Sequence, residues 1–416
     1  MTGILAGLRI VEGSAFIAAP LGGMTLAQLG ADVIRFDDIH GGLDSDRWPV
    51  TKSGHSLYWA GLNKGKRSIA VDLRNPKGRE LLTALITAPG EGAGIFTTNM
   101  PARGWLSYEE LRKKRADLIA LNIVGTRHGS AQVDYTVNAI TGFPMVTGPA
   151  AHQGPVNSVA PPWDLATAYA GAMALLAAER HRRLTGQGQR IVLPLQDMAL
   201  AATSALGYLG EAAINEVDRP RLGNEIFGTF GRDFRTKDGR YVVICIFSDR
   251  HVDALAMAGG LGEAFAAIEK RTGIDLKTDA GRWTARAELC AVIEPWVAAR
   301  TADDVAAALK KAGALWAPYL TFRELLQDTD AVRDNPLFTV IDQPGIGSYP
   351  VAATPLQFGA VSREAPRPAP LLGQHTDEIL SGILGLPSHE ITRLHDEKVV
   401  AGPKQAKRKV PRFRSG

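Results

Sequence analysis

Apolar and polar positions in the first two hundred residues alternate between two repeats. Short runs with β-branched residues occur at 8–12 (Leu-Arg-Ile-Val-Glu), 32–36, 68–73, 94–97, 118–124 and 190–193. Between them lie stretches with helical spacing at 20–29, 76–86 and 108–115. Strands separated by helices of this length predict β-α-β units and a parallel sheet, the doubly wound α/β class. A further helix is predicted from Asp164 to Leu184: its body is rich in Ala, Leu, Met, Glu and Arg, Arg180 to Arg183 is a basic last turn, and Gly186 lies just beyond.

Near residue 225 the pattern changes. Residues 230–233 lead into the turn Thr236-Lys237-Asp238-Gly239-Arg240, a strand is predicted at 241–247, and Ala-rich helices follow to about Pro318. A Pro- and Gly-rich return then closes with a helix at 376–384. The expected organisation is a first part of a large domain over 1–200, a small domain over 225–320, a return to the large domain over 330–395 and a basic tail at 402–416. No internal repeat at a solenoid period is present.

Composition adds limits. A chain of 416 residues with 45% hydrophobic content is an ordinary globular protein with room for two or three domains. The formal charge of +4 owes much to Lys404, Lys407, Arg408, Lys409, Arg412 and Arg414 in the tail, so no nucleic-acid partner is expected of the near-neutral body. Cys245 and Cys290 form neither a disulfide framework nor a metal motif, which fits a reducing cytoplasm. The N-terminus lacks a signal-peptide pattern, and the longest apolar run, 170–178, is too short to cross a bilayer, so no membrane partner is expected.

Familiar cofactor motifs are missing. Gly22, Gly23 and Gly30 make no dinucleotide fingerprint, no nucleophile elbow occurs, and His389, Glu390 and His395 have the wrong spacing for a zinc pair, so no metal is expected. Asp37, at the end of a predicted strand, reads as a solvated strand end. Lys64, Lys66 and Arg67 flank a predicted strand, Arg74 follows its end and Arg103 lies in the loop after another; loops at the carboxyl ends of parallel strands are where α/β sheets bind ligands, and Lys and Arg suit phosphates.

Asp164, in Pro161-Pro162-Trp163-Asp164-Leu165, is the candidate with chemistry. Prolines before it stop the helix running backwards, and a carboxylate there faces unpaired amides and the positive end of the helix dipole. Its pKa is expected to fall, leaving an ionised, outward-facing group suited to nucleophilic attack.

Longer strings carry a family likeness. Gly7-Leu8-Arg9-Ile10-Val11, Leu29-Gly30-Ala31-Asp32-Val33-Ile34, Asn63-Lys64-Gly65-Lys66-Arg67-Ser68-Ile69 and Pro370-Leu371-Leu372-Gly373-Gln374-His375-Thr376-Asp377-Glu378-Ile379-Leu380 make the chain resemble the class III CoA-transferase family over nearly its whole length. In that family the nucleophile is an aspartate before a long helix ending in Thr-Gly-x-Gly-Gln, and here Asp164 and Thr185-Gly186-Gln187-Gly188-Gln189 stand in those places.

The resemblance implies a Rossmann-like large domain built from both chain ends, a smaller α+β middle domain and an interlocked homodimer. Coenzyme A is implied as part of an acyl-CoA substrate, with no tightly bound cofactor. Its contacts map to Ile17 and Ala18, Val71 and Arg74, and Asn99, Met100 and Arg103. Asp38 stands where some relatives carry an arginine, and the four-glycine lid of oxalate-using relatives has no counterpart.

The strings at 11–24, 47–50, 99–108 and 343–349 resemble members that move CoA between the two carboxyls of one unsaturated diacid. Arg47, Arg127, Tyr135 and Arg232 are the candidates for holding the second carboxylate. An intermolecular transferase is the alternative. Racemase chemistry is disfavoured because Val133 occupies the position of the family's catalytic histidine, with His128 out of register. A noncatalytic nucleotide-binding module is the alternative from a different class.

Overall fold

The computed structural model describes residues 3–403, and the tail from Lys404 onward lies outside the described residues. The described residues divide into two compact units, one formed by residues 3–141, 158–211 and 334–403, the other by 142–157 and 212–333. The first unit contains β1 (Arg9–Gly13), α1 (Ala18–Gln28), β2 (Asp32–Asp37), α2 (Leu57–Leu62), β3 (Arg67–Val71), α3 (Pro76–Ile86) and β4 (Ile95–Thr98). It continues with α4 (Tyr108–Lys114), β5 (Ile119–Val124), α5 (Asp134–Asn138), α6 (Pro162–Thr185) and β6 (Gln189–Pro194).

These strands form a sheet in the order β3-β2-β1-β4-β5-β6, with Val400–Ala401 added beyond β3. Neighbours pair in parallel except that last strand, which is antiparallel to β3. Both faces are buried, which explains the near-continuous apolar strands. Val11, Ile34 and Phe96 turn to a face covered by α3 and the return helices Thr376–Gly382 and Ser388–Asp396. Ile10, Val33 and Ile95 turn to the other, covered by α1 and α6.

Two glycines shape the helices of that second face. A Cβ on Gly22 of α1 would sit 3.0 Å from the Ala168 carbonyl oxygen of α6, so its absence permits the close approach of the two helices. Gly186, at φ 71°, ends α6 in the left-handed conformation.

The second unit carries β7 (Phe230–Arg235), β8 (Tyr241–Ile246) and β9 (Leu315–Pro318) in an antiparallel sheet. Phe230, Val242 and Ile244 pack with Leu289, Ile293 and Leu309 of its helices into a separate core.

Several basic residues expected to face a ligand are instead committed to the interior of the first unit. The Lys66 amino group lies 2.6 Å from Glu12 Oε1 with both side chains fully buried, and it also donates to Asn63 Oδ1 and to the Pro20 carbonyl. Buried Arg35 holds Asp37 at 2.9 Å and Asp44 at 2.8 Å, so Asp37 is a buried ion-pair partner and not a solvated strand end. Lys64 donates to the Gly61 carbonyl, and Arg67 pairs with Asp32 and Glu378. Lys64, Lys66 and Arg67 flank β3 and are expected from the sequence to meet phosphate, but tertiary pairing has taken the charges.

Removing one member of a buried pair strands the other in low dielectric. Lys66→Met is therefore expected to destabilise the protein by about 3–5 kcal/mol. Urea unfolding followed by circular dichroism measures this.

Candidate active site

The strand order doubles back between β1 and β4, and ligands of open α/β sheets bind outside the carboxyl ends of strands at such a point. Here the two following loops are tied together. Asn99, after β4, accepts from the Ala15 amide at 2.9 Å and donates to the Ala15 carbonyl at 2.7 Å. Thr98 Oγ1 donates to the Gly13 carbonyl at 2.6 Å. Next in the β1 loop is Phe16, at φ 68°, a left-handed conformation that is strained for a bulky side chain. Its amide donates to Asp44 Oδ2 at 3.0 Å, and the other Asp44 oxygen is held by buried Arg35. The interior charges thus reach the loop and hold a conformation that costs about 1–3 kcal/mol.

The residues read as CoA contacts lie at or after the carboxyl ends of β1, β3 and β4. Ile17 precedes α1 and Ala18 opens it, with no side chain capping that helix start and no acidic residue in its first turn. Arg74 and Arg103 are exposed after β3 and β4. Asn99 is engaged by Ala15, and Met100 packs against the core below α3 and α4. Val71 is fully buried, so its side chain is closed to a ligand.

Asp164 occupies the third position of α6, and the expected electrostatics of this position are reversed. Its side chain does not cap the helix. The cap is supplied by Asp134, almost fully buried at the start of α5, whose Oδ2 accepts from the Trp163 amide at 2.7 Å and the Asp164 amide at 2.9 Å. Trp163 is anchored further by its indole N–H, which donates to Asn138 Oδ1 at 2.9 Å. The remaining Asp134 oxygen, Oδ1, is buried without a hydrogen-bond partner.

Burial, followed by the repulsion of Asp134, pushes the Asp164 carboxyl up to about 7, with Arg47 only partly opposing them. The magnitudes explain the reversal. A helix N-terminus is worth about 0.3–1 kcal/mol to an exposed anion, less than one pKa unit. Desolvation reaches about 3–5 units for buried groups. With the first amides already occupied by Asp134, burial wins. The sequence signal was available in the Asp134-Tyr135-Thr136 segment, but nothing local says that a residue thirty positions earlier will cap α6.

Arg47 lies beside this carboxyl, its guanidinium 5.2 Å from the Phe16 ring centroid and 5.3 Å from that of Tyr58. Tyr58, on α2, has a buried hydroxyl; burial pushes it up to about 12 against the lowering effect of the Arg47 charge, so it remains a proton donor. The other carboxylate candidates are placed differently. Arg127 is exposed and donates to the adjacent His128 ring, while Arg232 belongs to the second unit, where it lies over Phe234. Tyr135 follows Asp134 on α5 and is exposed. Val133 and His128 are both exposed, and neither is joined to Asp164 by a hydrogen bond.

A parallel α/β sheet covered by helices on both faces, with a desolvated carboxyl at the start of α6, defines a class that comparison then identifies. Residues 5–376 match CoA-transferase family III, and the chain belongs to that family of enzymes. It is 57% identical over 408 residues to 2-methylfumaryl-CoA isomerase of Chloroflexus aurantiacus, a match covering 98% of this chain and 100% of the relative. It is 28% identical to succinyl-CoA:mesaconate CoA-transferase of Haloarcula marismortui, covering 91% and 96% of the two chains. Among solved structures, a CAIB/BAIF family protein from Brucella suis matches with a TM-score of 0.76 and 26% identity over 92% of this chain and all of that one. Its fold is the same mixed α/β architecture with a largely parallel central sheet.

The raised Asp164 value has a consequence for stability whose sign is opposite to that of a salt-bridged aspartate. An unfolded carboxyl ionises near pH 4, so above that the folded state either retains a proton or buries a charge, and stability is lost as pH rises toward about 7. Asp164→Asn is expected to melt higher than wild type at about pH 8 and to converge with it near pH 4, as scanning calorimetry across pH will show. Asp134→Ala removes the cap and is expected to cost about 0.5–2 kcal/mol at neutral pH, measured by the same method.

Proposed function

We propose that this enzyme moves CoA between the C1 and C4 carboxyls of 2-methylfumaryl-CoA, with Asp164 as nucleophile. The observation that carries the reading is the 57% identity to the isomerase over the full length of that relative. The geometry supports it: a carboxyl near pKa 7 is substantially ionised at neutral pH and, by its higher basicity, is a better nucleophile than an ordinary aspartate.

The chemistry proceeds by acyl exchange with no net proton change. An Asp164 oxygen attacks the C1 thioester carbon; the C–O bond forms, the C–S bond breaks, and CoA leaves as thiolate. The thiolate attacks the Asp164 carboxyl carbon, forming an enzyme thioester and releasing the C1 carboxylate of the diacid. After the diacid turns, its C4 carboxylate attacks that thioester and expels the thiolate. Attack of the thiolate on the C4 acyl carbon then gives the isomeric thioester and restores Asp164. The phosphates of CoA are read as lying at the uncapped start of α1 beside Ile17 and Ala18, where free amides and the helix dipole favour anions, with Arg74 and Arg103 at the rim.

CoA enters as part of the substrate, and no resident cofactor is invoked. The chain is read as a cytoplasmic homodimer of the interlocked kind. Leu165, Tyr169 and Met173 support a partner surface, since they expose one apolar stripe along α6. Among the described residues no helix is long and apolar enough to cross a membrane.

The test is chromatographic. Purified protein given the C1 thioester and no free acid is expected to form the C4 thioester. A strict requirement for added acid would transfer the reading to an intermolecular CoA transferase, the activity named for the Haloarcula relative. Asp164→Ala is expected to lose at least about a thousandfold in rate, as removal of a nucleophile does. Because the attacking group must be ionised, kcat/KM is expected to rise with pH through about 7 in the free enzyme. Asp134→Asn, which keeps an acceptor for the helix amides but removes the charge, is expected to move that rise to lower pH.

A further inference from the structure

We propose that Arg47 is the binding group for the free carboxylate of the diacid-CoA substrate, an inference that deepens the activity proposed above and rests on it. Transfer between two ends of one molecule demands that the carboxylate not joined to CoA be held close to Asp164. It also demands that the diacid stay bound while it turns. A cation beside the nucleophile and not already neutralised answers both demands.

The pairing pattern isolates Arg47. Arg35, Lys66 and Arg67 are each in an ion pair, and Lys64 is buried against a main-chain carbonyl. Among the described residues Arg47 has no carboxylate within ion-pairing distance, although its charge acts on Asp164. Its guanidinium is instead held against the rings of Phe16 and Tyr58, at 5.2 and 5.3 Å. Stacking fixes the plane of a guanidinium while leaving its N–H edge available, and that edge matches a carboxylate with two parallel hydrogen bonds.

The aromatic support is itself built. Phe16 owes its position to a left-handed backbone that Asn99 and Asp44 pin from two sides. On the Tyr58 side, the Ser56 hydroxyl caps α2 by accepting from the Trp59 amide and donates to the Arg47 carbonyl, joining the two segments. The buried Tyr58 hydroxyl lies close enough to Arg47 and Asp164 to feel both charges, a second donor for a carboxylate held there. In the reaction, Arg47 would hold the C4 carboxylate while C1 is attached, and the C1 carboxylate once C4 has taken its place.

The test separates this subsite from the chemistry by using two unreactive thioethers of CoA. S-(3-carboxypropyl)-CoA carries a carboxylate at the spacing of the substrate's second acid, and S-butyl-CoA lacks it. Calorimetric titration is expected to show that wild type prefers the carboxylated ligand by about tenfold or more, the value of one charged hydrogen-bonded pair. Arg47→Gln is expected to abolish that preference and Arg47→Lys to keep part of it. During turnover, Arg47→Gln should also release free diacid into the medium.

A wild-type protein without the preference, or an Arg47→Gln variant that retains it within about twofold, overturns the inference. If Arg47→Gln does not fold, Arg47→Lys is decisive alone, because loss of the planar fork must still reduce the preference. A protein that binds the carboxylated thioether through Arg47 yet does not isomerise the diacid thioester would instead overturn the activity proposed above.

Discussion

Two carboxyl groups meet at the start of one helix, and the division of roles between them governs the site. Asp134 takes the helix amides and so receives the stabilisation that an N-terminal anion ordinarily enjoys. Asp164, two positions inside the helix, receives burial and a negative neighbour instead. Asp134 therefore serves the helix, and Asp164 is left with its carboxyl uncommitted to the helix amides. Had Asp164 been its own cap, its carboxylate would be better solvated by amides, more acidic and a poorer nucleophile. The close approach of α1 to α6, allowed by Gly22, sets that helix beside the sheet whose crevice faces the ligand.

The second constraint is the buried charge system of the first unit. Arg35, Asp37, Asp44, Glu12 and Lys66 are all sealed from solvent, an arrangement seldom favoured over apolar packing for stability alone. Its reach explains its presence here. Asp44 accepts on one oxygen from Arg35 and on the other from the Phe16 amide, so interior ion pairing is transmitted to the strained loop that closes β1. That loop in turn carries the ring against which Arg47 lies. Hydrogen bonds from the sheet to the Phe16 loop, and then the contact of the Phe16 ring with Arg47, connect the middle of a parallel sheet to a charge that favours ionisation of Asp164.

The sheet and most of its helices were legible because both periodicities are strong in the first two hundred residues. α3, capped by Asn75 with Pro76 in its first turn, coincides with the expected span, while other predicted elements differ by a residue or two at their ends. The segment 142–157, joined in the structure to the unit formed by 212–333, carries no periodic pattern that would tie it there. Asp164 could be picked out locally, and its electrostatic state could not. Helix position is a property of a few neighbouring residues, whereas desolvation and the cap from Asp134 arise only when segments thirty residues apart are packed together. The same reason hid the pairing of Lys66 with Glu12, fifty-four positions away, and turned expected phosphate ligands into interior partners.

Under the proposed mechanism, transfer within one diacid and transfer between two acids use the same covalent steps, so the nucleophile does not distinguish them. Retention does. A diacid fixed beside the enzyme thioester attacks it at an effective concentration of about 10⁵ M or more, far above that of any free competitor. Once the first carboxylate is released, the partition between return and escape is set by whatever still holds the second. On the proposed roles of the two residues, selection between the two activities acts on the surroundings of Arg47, which lies over the rings of Phe16 and Tyr58, and not on Asp164. The same nucleophilic helix can thus serve either activity without alteration of its buried carboxyl pair.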